Sequence, residues 1–241
     1  GRKKNAMKKD KAAAPVEETP AEPAVLFELE TLVAGSRKLL HDILKRALAA
    51  KGVELTPVLF SRYCLNASPR QFLPALLATQ GKKAEAEGMV QDITDKLAAA
   101  VAEAAPATPA GLPLLIRKAQ GNGLRVGTLS ALSEDGAKAL IDKAGLQAFS
   151  PALFVQNAND KHFPSADAWL KLAKALNVAP RLCVAITTSA GAAKAALSAG
   201  MRCVVIPDSS TGFQDFSGAD YVANELNEAA ANDIVKTLRL A

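Results

Sequence analysis

The chain has 241 residues, 49% of them hydrophobic and 22% charged, with a net charge of +5; that is enough for one ordinary domain, or a core with a smaller companion, to fold without staples. Its three cysteines, Cys64, Cys183 and Cys203, are an odd and scattered set with no CxxC pair, which argues against a disulfide frame or a zinc site and for a reducing compartment. No stretch reaches the roughly 18 to 20 unbroken apolar residues of a membrane span, and the N-terminal stretch lacks a charged-then-apolar leader pattern, so a soluble, cytoplasmic protein with no membrane partner is expected.

Residues 1–22 contain six basic and four acidic side chains, and the stretch has no apolar periodicity before it turns Pro- and Glu-rich. It reads as a disordered, solubilising tail. No aromatic residue interleaves with its lysines as a stacking site for bases would require, and the remaining charge is not focused, so no nucleic-acid partner is expected.

"AVLFELE" (24–30) reads as a strand running into two acids. The period of two sends Glu28 and Glu30 the same way, at or just past the strand's C-terminal end, which in a parallel α/β sheet is the ligand-binding end. On residue types alone, two solvated carboxylates where the chain leaves its sheet fit equally well.

About seventy residues of helix follow. "RKLLHDILKRALAAKG" puts Leu39, Leu40, Ile43, Leu44, Ala47 and Leu48 on one stripe and stops at Gly52. Thr56–Pro57 and Ser68–Pro69 are two capping starts with proline at the first helical position, and "KKAEAEGMVQDITDKLAAAVAEAA" reads as one long helix. From Pro106 onward helix and strand alternate. "AGLPLLIRKAQGNG" is a helix, "LRVGTLSA" a strand, "SEDGAKALIDKAGL" a helix and "PALFVQ" a short strand. "SADAWLKLAKALNV" is a helix capped by Ser165, then "RLCVAITT" a strand, "SAGAAKAALSAG" a helix, "MRCVVIP" a strand and "NEAAANDIVKTLRLA" a closing helix. Such alternation predicts an α/β fold with a Rossmann-like parallel sheet core. The core is expected over 23–35 and 108–241, with an inserted α-helical cap over 36–107.

The order and spacing of several segments resemble the haloacid dehalogenase superfamily, of the phosphoglycolate phosphatase and β-phosphoglucomutase type, over nearly everything after residue 23. "FELETL" resembles the family's Asp-x-Asp-Gly-Thr strand end, "NASPRQFLPALLATQG" the cap's specificity loop and helix, and "GLRVGTLSA" the strand ending in a phosphate-binding Ser or Thr. "DKHFPSADAWLKLAKALNVAP" looks like the loop with the catalytic lysine, "AITTSAGAAKAALSAGMRCVVI" like the segment that normally reads Gly-Asp-Ser, and "GADYVANELNE" like the final strand and helix.

In that family the first aspartate attacks phosphorus, the second handles the proton, and magnesium neutralises the assembled negative charge. The resemblance places Glu28 at the nucleophile and Glu30 at the acid/base, and gives Ser130 and Lys161 to phosphate binding. The glycine after the second acid is missing, and Thr188 stands for the metal-binding aspartate, followed by Ser189, Ala190, Gly191 and Ala192. An added methylene moves a carboxylate by roughly 1.5 Å, and misplacement near 1 Å can cost about a hundredfold in rate; threonine hydroxyls bring magnesium no charge.

No metal or other cofactor is therefore expected, and a degenerate site is the favoured reading: a pseudoenzyme binding a protein partner or a small phosphorylated ligand. The alternative is an active magnesium-dependent phosphatase or phosphomutase on a small phosphorylated metabolite. With no metal, Glu28 is expected to pair with Lys161. His41 and His162 lack partners at ligand or triad spacing, Cys183 and Cys203 read as small hydrophobes in apolar strands, and "GNG" at 121–123 precedes its strand, so it is a turn and not a dinucleotide loop.

Overall fold

The computed structural model describes residues 23–156 and 160–240; the expected N-terminal tail lies outside them. Among the described residues six strands form one wholly parallel sheet: β1 (Ala24–Glu28), β2 (Arg125–Ser130), β3 (Ala152–Val155), β4 (Cys183–Thr187), β5 (Arg202–Val205) and β6 (Tyr221–Val222). Their spatial order is β3-β2-β1-β4-β5-β6, so β1 is central. Phe27 lies beside both Thr128 of β2 and Ile186 of β4. Both β1 and β4 are buried along their whole length, which explains why they read as continuous apolar runs and not as alternation.

The pleat sorts each strand's side chains onto two faces. Val25, Phe27, Val126, Val184, Ile186 and Val204 join one core with α6 (Gly111–Gly121), α7 (Glu134–Lys143) and α10 (Glu228–Thr237). Ala24, Leu26, Leu129, Ala185, Cys203 and Val205 join the other, with α8 (Ala166–Ala175) and α9 (Ala190–Ser198). Helices on both faces of a parallel sheet leave the strand C-termini as the exposed end where loops converge.

Between β1 and β2 the chain makes a short α1 (Glu30–Val33) and then a helical block: α2 (Ser36–Ala49), α3 (Pro57–Tyr63), α4 (Pro69–Ala78) and α5 (Ala86–Glu103). The block has its own core, built on Leu44, Leu48, Phe72, Leu73, Leu76, Leu77 and Ile93. The stripe read from the sequence of α2 is the face that buries Leu40, Leu44 and Leu48. Thr56 caps α3 by accepting from Leu59 N–H at 3.2 Å, and Ser165 caps α8 by accepting from Ala168 N–H at 3.0 Å. The expected single long helix divides: Lys83–Glu85 form a 3-10 turn before α5 begins at Ala86. No helix among the described residues is long and apolar enough to cross a membrane.

Candidate active site

Strand order reverses at β1, with β2 and β3 on one side and β4 to β6 on the other. The crevice at such a switch point is where ligands of parallel α/β sheets bind. Glu28 ends β1 there and Glu30 opens α1 two residues later. Both are buried, Glu28 completely. The strand stops at Glu28, so the two side chains do not stay parallel; one reaches toward β4 and the other toward β2.

Glu28 takes the β4 side. Its Oε2 accepts from the Thr188 backbone N–H at 2.6 Å and from Thr188 Oγ1 at 3.2 Å, and its Oε1 accepts from Thr31 Oγ1 at 3.2 Å. The cation beside it is Arg37, whose Nη2 lies 3.9 Å from Oε1. Burial raises the Glu28 carboxyl above its ordinary range, and the Arg37 charge and the Thr188 N–H oppose that rise. Glu30 takes the β2 side: its Oε2 accepts from Ala131 N–H at 3.0 Å and from Ser130 Oγ at 3.3 Å. Its Oε1 is buried and has no hydrogen-bond partner among the described residues. Desolvation raises this carboxyl as well; its own backbone N–H, then Ala131 N–H and Ser130, work against the rise, and the neighbouring Glu28 charge adds to it.

Ser130, at the end of β2, also accepts from Leu132 N–H at 3.0 Å, so its hydroxyl is engaged on both sides. Lys161 is exposed. The loop around it is fastened by Gln156, whose Nε2 donates to His162 O at 2.5 Å and whose Oε1 accepts from Ser165 N–H at 3.1 Å. The expected Glu28–Lys161 pair is therefore replaced: Lys161 has no ion pair among the described residues, and Arg37 holds the place beside Glu28. The physical reason is rigidity. Arg37 stands in the first turn of α2, just after Gly35 turns the chain with φ +58, whereas Lys161 projects from a loop.

Arg37 is 5% exposed and engages four groups. Its Nη1 donates to Thr188 Oγ1 at 2.7 Å and to Asp208 Oδ2 at 2.8 Å, its Nε donates to Leu65 O at 3.2 Å, and Nη2 faces Glu28. Asp208 is held in turn: its Oδ1 accepts from Ser210 N–H at 2.8 Å. Thr211 Oγ1 donates to Thr188 O at 2.7 Å, which ties this turn to the end of β4. Beside it, Asn66 of the helical block donates through Nδ2 to Phe163 O at 3.0 Å and Ser189 Oγ at 2.9 Å, and Phe163 N–H donates back to Asn66 O at 2.9 Å.

Sequence reasoning missed Arg37, Asp208 and Asn66. For Arg37 a signal existed: it lies three, seven and eleven residues before Leu40, Leu44 and Leu48, a charge on the buried stripe of its helix. Asn66 opens the segment that resembles the cap's specificity loop, a signal that did not single it out, and Asp208, a polar residue in a turn, carried none.

The donor set does not fit magnesium, which demands several hard oxygens in near-octahedral array. Glu28 is already bonded through both oxygens, Thr188 contributes only a hydroxyl that itself faces a guanidinium, and among the described residues no group of three or more His, Cys, Asp or Glu is placed to hold a metal. Cys183 and Cys203 are buried, with thiols pushed up by burial to about 11 and about 12, so neither is an activated nucleophile. His41 packs edge-on against Phe60 at 5.0 Å.

No family model matches the chain. It is 25% identical over 207 residues to YhcW of Bacillus subtilis (strain 168), named as a phosphatase, covering 85% of this chain and 92% of that protein. Among solved structures it is similar to a CbbY variant from Rhodobacter sphaeroides in complex with xylulose-(1,5)bisphosphate, with a TM-score of 0.71 at 22% identity over 86% of this chain and 96% of that one. It is also similar to β-phosphoglucomutase from Clostridium difficile, with a TM-score of 0.72 at 16% identity over 90% and 97%. The parallel sheet, the helices around it and these similarities support a phosphatase-like protein of the haloacid dehalogenase superfamily.

Proposed function

We propose that this chain keeps the superfamily fold without effective phosphoester hydrolysis and acts by binding a protein partner rather than a small phosphorylated ligand. The supporting observation is that its own carboxylates consume the groups a phosphoryl substrate needs. Glu30 Oε2 sits on Ser130 Oγ and Ala131 N–H, the hydroxyl and adjoining amide at the end of the strand that the family resemblance assigns to phosphate. Glu28 sits on Thr188 N–H and faces the arginine. Two further points agree. An attacking carboxylate needs a free oxygen in line with phosphorus, and both oxygens of Glu28 accept hydrogen bonds. A substrate dianion would also have to enter beside two buried carboxyls. The helical block serves in this reading as the cap over the site.

A second reading, magnesium-dependent hydrolysis of a small phosphorylated metabolite, is favoured by Ser130 at its strand end and by the exposed Lys161. Steady-state hydrolysis of a panel of phosphate esters, sugar phosphates included, with and without magnesium, decides between them. The binding reading expects turnover no greater than that of the Glu28→Gln protein. Robust magnesium-dependent turnover lost in Glu28→Gln would establish the second reading instead.

A further inference from the structure

We infer that the Arg37 guanidinium is the site's own permanent cation and the latch that fastens the helical block to the sheet core, in the position where the resemblance calls for a diffusible magnesium ion. The inference rests on the reading above insofar as it treats Glu28 as a buried charge to be neutralised and not as a nucleophile.

The geometry is that of a bridge between two bodies of the fold. Arg37 belongs to α2, the first helix of the block, and its Nε is anchored within the block on Leu65 O. The other three contacts cross to the core: Glu28 at the end of β1, Thr188 just past β4, and Asp208 after β5. One planar fork can meet all of these because its five N–H groups point in fixed, different directions, which an ammonium cannot imitate. Leu65 leads directly to Asn66, which is hydrogen-bonded to Phe163 and Ser189 of the core. Space at this second contact is fitted to it: a Cβ on Gly191 would lie 2.6 Å from Asn66 Oδ1. Arginine and asparagine thus bracket the crevice. A metal-dependent site can open and refill because its cation dissociates; a cation carried on α2 leaves only if the block lifts with it.

The test uses the whole chain and reads melting temperature and hydrogen exchange, not activity. Arg37→Met leaves Glu28 buried without a counter-charge and is expected to lower the melting temperature by roughly 6–20 °C, the range for breaking a buried pair in a chain of this size. Adding Glu28→Gln to that variant removes the stranded charge and should restore more than half of the loss. Arg37→Lys keeps the charge but not the fork. It should fold and show at least about tenfold faster amide exchange in the segments around Asn66 and Phe163, with β1 and β4 unchanged. Arg37→Met melting with the parent, or the double variant melting no higher than the single, would overturn the cation assignment. Parental exchange in Arg37→Lys would overturn the latch. Should Arg37→Met not fold alone, recovery of a folded double variant supports the assignment and failure of both contradicts it. Hydrolytic activity found in the ester assay would refute the functional reading while leaving these melting and exchange results to stand or fall separately.

Discussion

At the residue scale the unusual group is Glu30, a buried carboxyl with one oxygen well bonded and the other bonded to nothing among the described residues. An ionised carboxylate left half-satisfied in the interior is costly, and protonation is the cheaper state. Its folded-state pKa is raised above the ordinary 4.5, chiefly by burial. The folded chain then binds more protons than the unfolded one, so stability falls as pH rises. This contribution is fully present below about 4.5 and is lost as pH climbs through the raised folded value. Glu28 shifts in the same direction. Glu30→Gln should therefore raise the melting temperature at neutral pH by a few degrees, at roughly 2–4 °C per kcal/mol for this chain length, and flatten the fall of melting temperature as pH rises above about 4.5. A melting scan across that range checks it; a variant that melts lower than the parent at pH 7.5 would show that Glu30 is paired in its charged form.

At the element scale, much of the fold was legible. Strand and helix periods, proline at first helical turns and Thr56 and Ser165 as caps all act locally, so sequence alone carries them. The strand-end positions of Glu28 and Ser130 were legible for the same reason. The partners of those residues were not, because they come from elements far apart in sequence: Arg37 meets Thr188 and Asp208 across 151 and 171 residues. Lys161 was chosen for Glu28 on charge and reach, yet a loop lysine has no fixed direction, while the arginine at the start of α2 does. The contact between α9 and the block offers a test at this scale. Gly191→Ala should push Asn66 off Phe163 and Ser189 and cost about 1–3 kcal/mol. In an Asn66→Ala background the same change should cost under about half as much. Equal costs in both backgrounds, measured by denaturant unfolding, would show that Asn66 and Gly191 are not coupled.

At the scale of the whole molecule, the sheet places a crevice at its switch point and the chain then fills that crevice from within. In the proposed reading two carboxyls take the anion-binding donors, and an arginine from the helical block takes the cation's place. The fold matches that of the solved haloacid dehalogenase relatives, and in the proposed reading what differs is who occupies the site. Calorimetric titration of the unaltered protein with magnesium, followed by inorganic phosphate, tests this most directly. No saturable binding of either tighter than millimolar is expected; saturable micromolar binding of magnesium, abolished by Glu28→Ala, would show that a metal holds the site after all.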